Sequence, residues 1–123
     1  TYLQNNKNIK YYNFIDNLSS YNKIINNYDC VVLPSYREGL PKSLIEACYL
    51  GKSIISSNVP GMHDVCKENF NGFQCEAKNI ESLYKAMLKF IVIEKDKFEQ
   101  FTKNSIKLSD KFYYKDVYKK CLI

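Results

Sequence analysis

The chain has 123 residues, 46% of them hydrophobic and 25% charged, with 18 Lys and Arg against 13 Asp and Glu for a formal charge of +5. This is the size and make-up of one soluble globular domain, and no apolar run reaches the ~18 residues of a membrane span. The basic excess is spread over both halves and comes with no DNA- or RNA-binding motif, which argues against a dedicated nucleic-acid face.

In chain order, Ile9 to Phe14 is aromatic-rich and short, and is expected to be a first strand closed by Asp16 and Asn17. Ser19 or Ser20 is the expected cap of the next helix, whose apolar side is Tyr21, Ile24, Ile25 and Tyr28. Cys30 to Leu33 is continuously apolar, the pattern of a parallel strand buried on both faces. The chain then breaks at Pro34, crosses a polar loop ending in Gly39, and restarts as a helix with Pro41 near its first turn, where a missing N–H costs nothing. Leu44, Ile45 and Cys48 share one face of that helix, with Lys42, Glu46 and Tyr49 on the other. Gly51 ends it, and Ser53 to Ser56 makes a further strand.

Asn58 to Gly61 is a turn, Met62 to Lys67 a short helix, and Phe70 to Gly72 a turn in which Asn-Gly supplies positive φ before an extended piece at Phe73 to Cys75. Ile80 to Ile91 has the spacing of an amphipathic helix. Beyond Ile93 there is no strand candidate. Phe98, Phe101, Leu108 and Phe112 form a helical stripe, and Lys103, Lys107, Lys111, Lys115 and Lys119 recur every fourth residue as a solvated side. The expected fold is α/β: a partial Rossmann-like parallel sheet of about four strands flanked by helices over residues 1–93, with a helical C-terminal tail over 94–123. The five cysteines are scattered without a C-x-x-C pair and are expected as buried, reduced thiols.

A helix that starts just past the carboxyl end of a buried strand is where open α/β sheets bind ligands, because free N–H groups and the helix dipole converge there. Glu38 in the loop and Glu46 in the second helical turn bracket this start; Glu68 and Glu76 have the same spacing without the strand or the helix start, so context carries the signal. An ionised carboxylate offers two acceptor oxygens to the paired hydroxyls of a sugar or a ribose. The run Leu33-Pro-Ser-Tyr-Arg-Glu-Gly-Leu-Pro-Lys-Ser-Leu-Ile-Glu-Ala resembles the donor-site signature of the retaining glycosyltransferases of family four, group 1, which have the two-domain GT-B architecture. The likeness continues through Gly51 to Val65 and through Asn71-Gly-Phe, and covers residues from about 9 to 93.

The resemblance implies that Glu38 holds hydroxyls of the transferred sugar as the catalytic-site carboxylate, helped by the N–H groups of Gly39 and Leu40. It further implies that Glu46 grips the ribose and that Lys42 lies near the diphosphate. Arg37, Tyr36, Gly61 and His63 flank the same region, and His63 takes no catalytic role from the likeness. No Asp-x-Asp is present, so no metal clamp and no cofactor is expected.

The implied parent is an enzyme moving a sugar from a nucleoside diphosphate, first of all a UDP-sugar, to a glycan or lipid-linked glycan acceptor in surface polysaccharide synthesis. It is expected in the cytoplasm, at the inner face of the membrane, with peripheral membrane contact. The acceptor side and further phosphate-binding groups belong to parts of such enzymes not found here, so the chain is expected to be a piece of a longer protein and inactive alone. Two alternatives are a non-catalytic nucleotide-sugar or partner-binding module, and a basic domain for anionic lipid or RNA.

Overall fold

The computed structural model of the protein describes residues 5–36, 39 and 41–112. Seven elements follow one another: α1 (Leu18–Asn26), β1 (Cys30–Leu33), α2 (Lys42–Tyr49), β2 (Ser53–Ser57), β3 (Gly72–Cys75), α3 (Ile80–Ile91) and α4 (Lys95–Ser109). The three strands form one parallel sheet in the order β1-β2-β3, with Val31 opposite Ile54 and Ile55 opposite Phe73. The α/β class and the flanking helices are as expected; among the described residues the sheet has three strands rather than about four.

The missing strand is Ile9 to Phe14, which is irregular and largely open to solvent. Aromatic content gives β-propensity, but a strand exists only where a neighbouring backbone accepts its hydrogen bonds, and none of the described residues does so for this segment. The helix after it is capped by Asn17, whose side chain accepts the Ser20 N–H at 2.8 Å, rather than by Ser19 or Ser20. Among the described residues β1 bonds to a neighbour along one edge only, and its burial is uneven: Val31 and Leu33 pack under α2 and Cys30 against the cluster on the other face, whereas Val32 is open.

β2 lies at the centre and is buried along its whole length. Successive side chains go to opposite faces. Ile54 joins Leu44, Ile45, Ala47 and Cys48 of α2 with Met62, Val65 and Cys66; Ile55 joins Phe73, Ala86 and Phe101 on the other side. Residues 61–65 form consecutive turns, with Met62 O accepting from both Val65 and Cys66, in place of the expected short helix.

Two positions tie this arrangement together. α2 ends with Gly51 at φ 74°, Gly51 N–H donating to Cys48 O at 3.0 Å and Lys52 N–H to Ala47 O at 2.9 Å, a Schellman closure. Asn71, expected in a turn, is instead fully buried: its amide nitrogen donates to Val65 O at 2.8 Å and Ser105 Oγ at 3.3 Å, and its oxygen accepts Lys67 N–H at 2.8 Å. The positive φ of this region falls on Asn69, at 59°. Gly72 is required for closeness, since a Cβ there would stand 1.6 Å from Ile54 O. Gly72→Ala must push β3 off β2, and a loss of about 3 kcal/mol or more is expected in a urea titration followed by circular dichroism.

Cys48 and Cys66 are buried thiols, as expected, and Cys30 is half-buried. Burial, and then the neighbouring Cys66 sulfur, pushes Cys48 and Cys30 up to about 12, and burial pushes Cys66 up to about 11. An unfolded thiol loses its proton near pH 8.5, so above that the folded state holds more protons than the unfolded one and stability falls as pH rises. The urea midpoint should therefore decline progressively above pH ~8.5. The decline should be shallower in Cys48→Ala, and a midpoint flat to pH ~11 would contradict the burial of these thiols.

Candidate functional site

All three strands point their carboxyl ends to one side, where the chain continues as Pro34 after β1, Asn58 after β2 and Glu76 after β3. The Pro34–Pro41 connection leaves the sheet edge there and enters α2. Pro41 is the N-cap residue, extended at φ −77° and ψ 97°, and the N–H groups of Leu44 and Ile45 converge on its carbonyl at 3.0 and 3.1 Å. N–H groups of a helix's first turn have no partner within the helix and present partial positive charge outward.

Of the expected site residues, Glu38 and Leu40, with Arg37 beside them, lie outside the described residues. Gly39 is exposed, and the space a side chain would fill there is open. Lys42 is the first residue of α2 and faces solvent. Glu46 sits one turn further, half-buried, on the side of α2 away from Leu44 and Cys48. Burial holds its carboxyl above the ordinary range, and the nearby Lys42 ammonium pulls it back in part.

Tyr21 of α1 completes this corner, and it was legible in the sequence only as one of the apolar positions of its helix. It is half-buried, and burial and then the Glu46 carboxylate raise its hydroxyl above the ordinary value. Tyr21 of α1 and Glu46 of α2 are thus within electrostatic range of each other, at a corner that holds one partly desolvated carboxylate, a phenol and the start of a helix. Such a corner accepts hydrogen bonds from hydroxyls at Glu46 and tolerates anions at the helix start.

A cleft of about 240 Å³ opens past the carboxyl ends of β1 and β3, lined by Pro34, Tyr36, Cys75, Glu76, Lys78, Asn79, Ile80 and Leu83, and includes no residue of α1 or α2. Lys78, at φ 59°, sets its ammonium 5.2 Å from the centre of the Tyr36 ring. His63 bonds through Nε2 to Asn58 Oδ1 at 2.6 Å, across the loop after β2, and is exposed. Among the described residues, no three His, Cys, Asp or Glu side chains gather as a metal site, and no helix is long and apolar enough to cross a membrane.

Comparison with known proteins bears on the fold and the family. The N,N'-diacetylbacillosaminyl-diphospho-undecaprenol alpha-1,3-N-acetylgalactosaminyltransferase of Campylobacter jejuni is 36% identical over 61 residues, 50% of this chain and 16% of that enzyme. The chain thus spans about a sixth of this relative. Two solved structures share the fold. The C-terminal domain of the group 1 glycosyl transferase LpcC from Francisella tularensis superposes with a TM-score of 0.69 at 19% identity, over 83% of this chain and 52% of that domain. Anabaena HepE, solved in complex with UDP, gives 0.64 at 17% identity over 72% of this chain and 24% of its own. The sequence model described as glycosyl transferases group 1 matches residues 2–108, nearly the whole described stretch, and the chain belongs to that family.

Proposed function

We propose that this chain is the donor-binding portion of a retaining glycosyltransferase that moves a sugar from a UDP-sugar to a lipid-linked glycan. The observation that carries the reading is the half-buried Glu46 carboxylate, set beside Tyr21 one turn into a helix that starts at the carboxyl end of β1. Membership of the family supplies the reaction class. The UDP bound to Anabaena HepE supports the nucleotide, and the undecaprenol-linked substrate in the name of the Campylobacter relative supports the acceptor type.

In this reading ionised Glu46 accepts both ribose hydroxyls, with the Tyr21 phenol in its electrostatic range. The α2 start and Lys42 face the diphosphate, while Glu38, with the Gly39 and Leu40 N–H groups, holds the sugar. Negative charge built up on the departing diphosphate is stabilised by the positive start of α2 and the Lys42 ammonium, while the two carboxylates position the donor through its hydroxyls. The chain works on the cytoplasmic side, where nucleotide sugars are made, and meets the membrane through its acceptor.

Glu46→Gln keeps the shape and removes the charge. Hydrogen bonds to a charged group contribute roughly 1.5–3 kcal/mol, so affinity for UDP-N-acetylglucosamine or UDP-galactose should fall about 10- to 100-fold by calorimetry. Because burial raises the Glu46 carboxyl, binding should weaken on acidification at a higher pH than an ordinary glutamate would give. A sugar-diphosphate ester has no ionisation of its own in that range, so the Gln variant should lose this higher-pH component of the weakening and keep only what Glu38 contributes at lower pH. Equal affinity of the two proteins at neutral pH would sink the ribose assignment.

The isolated chain should bind UDP-sugars weakly and release no UDP in a coupled assay with undecaprenyl-diphosphate-linked acceptor. Turnover by this polypeptide alone would show that the acceptor side is contained in it.

A further inference from the structure

Asn71-Gly72 is the single asparagine-glycine step in the chain, and the sugar site makes no use of it. This dipeptide is the one most prone to spontaneous deamidation. The backbone nitrogen after the asparagine attacks the side-chain Cγ, the carboxamide nitrogen leaves as ammonia, and a cyclic imide forms. Water then opens the imide to aspartate or isoaspartate. Glycine favours the attack because no side chain crowds its nitrogen and its backbone turns freely.

In the folded chain that attack is blocked. Asn71 is fully buried, and its carboxamide is held by three partners: its nitrogen donates to Val65 O and Ser105 Oγ, and its oxygen accepts the Lys67 N–H. Swinging Cγ onto the Gly72 nitrogen breaks all of these bonds together. Gly72 cannot move to meet it, being pressed against Ile54 while Asn71 O accepts the Ile54 N–H at 3.0 Å.

One element can lift the block and leave the sheet standing. α4 covers this stretch with two adjacent side chains. Asn104 Nδ2 donates to Phe70 O at 2.7 Å, and Ser105 Oγ, which accepts from Asn71, donates to Lys52 O at 2.6 Å. A helix docked on the outside of a sheet opens as a unit at a smaller cost than the whole fold. When α4 lifts away, the carboxamide loses Ser105, the neighbouring backbone loses Asn104, and water reaches the step.

The product does not fit back. An aspartate at this position has no N–H for Val65 O or Ser105 Oγ, and it sets a carboxylate oxygen against the Val65 carbonyl in a buried site. Isoaspartate is worse, since it lengthens the main chain next to Gly72, where even a Cβ would stand 1.6 Å from Ile54 O.

We infer that Asn71 is a deamidation site guarded by α4: undocking of α4 starts the reaction, and the product keeps α4 from docking again. A passing local opening is thereby turned into permanent damage. α4 also braces the carboxyl root of α2 at Gly51 and Lys52, so the same event loosens the helix that carries Lys42 and Glu46. The reaction needs water alone, and the inference holds or fails independently of which sugar is transferred.

The test holds the chain at mildly alkaline pH, folded in buffer or unfolded in guanidinium chloride, and follows the peptide containing Asn71 by mass spectrometry. Deamidation should be at least about tenfold faster in the unfolded chain. Asn104→Ala removes the bond to Phe70 O and leaves Asn71 itself untouched, so the folded variant should deamidate about three- to tenfold faster than the folded parent. Asn71→Asp should lower the urea midpoint at neutral pH and regain part of it on acidification, as the buried carboxyl takes up a proton. Equal rates in the folded and unfolded chains would overturn the inference. So would an unchanged rate in Asn104→Ala, or an unaltered midpoint in Asn71→Asp.

Discussion

The backbone ladder of β2 sets everything at the binding edge. Among the described residues only this strand has neighbours on both sides, and each neighbour arrives in parallel, so every connection must cross from one end of the sheet to the other. That requirement sends the chain from β1 over the sheet as α2, and it puts the Pro34–Pro41 loop and the amino end of α2 at the carboxyl edge. Gly72 lets β3 come close enough for Ile54 N–H to reach Asn71 O at 3.0 Å. Asn71 then holds the Val65 and Lys67 backbone and Ser105 of α4 with one buried amide, so the position of β3 and the turns before it are fixed by the same few atoms.

The candidate site uses this frame economically. Its one described carboxylate, Glu46, is neither deep nor free: it has lost part of its water to burial and kept an ammonium within reach at Lys42. A carboxylate in that state is short of donors, and an incoming diol supplies two. Tyr21 contributes from a separate element, so the corner exists only while α1 stays docked, and Lys52 Nζ, 3.3 Å from Asn26 O, is one of the contacts holding it.

Local pattern was legible where it coincided with burial. Ile80 to Ile91 and the strand at Ser53 were found because their periodicity and their flanking Asn, Gly and Pro agree with what they pack against. The strand-loop-helix around Glu46 was found for the same reason, and Gly39, Lys42 and Glu46 needed no tertiary information to be singled out. What failed depended on partners far away in the chain. Ile9 to Phe14 has the composition of a strand and no ladder to join. Cys30 to Leu33 has the composition of a central strand, yet one of its edges is open. Asn71 looked like a turn residue because asparagine before glycine usually is one; nothing local announces that its amide will be enclosed by residues 65, 67 and 105. Tyr21 was visible as an apolar position, but its phenol acquires meaning only when α1 meets Glu46.

Gly51 carries one more implication. The far end of α2 is closed by the Schellman turn and wedged against Thr102 and Ile106 of α4, and Ser105 Oγ donates to Lys52 O at 2.6 Å just beyond it. α2 is thus held at its carboxyl root by α4 and along its inner side by Leu44 and Ile45, which are fully buried. Only its outer side, with Lys42 and Glu46, is left to meet a ligand, so a molecule that lands there bears on a helix seated along its whole length rather than on a loose end.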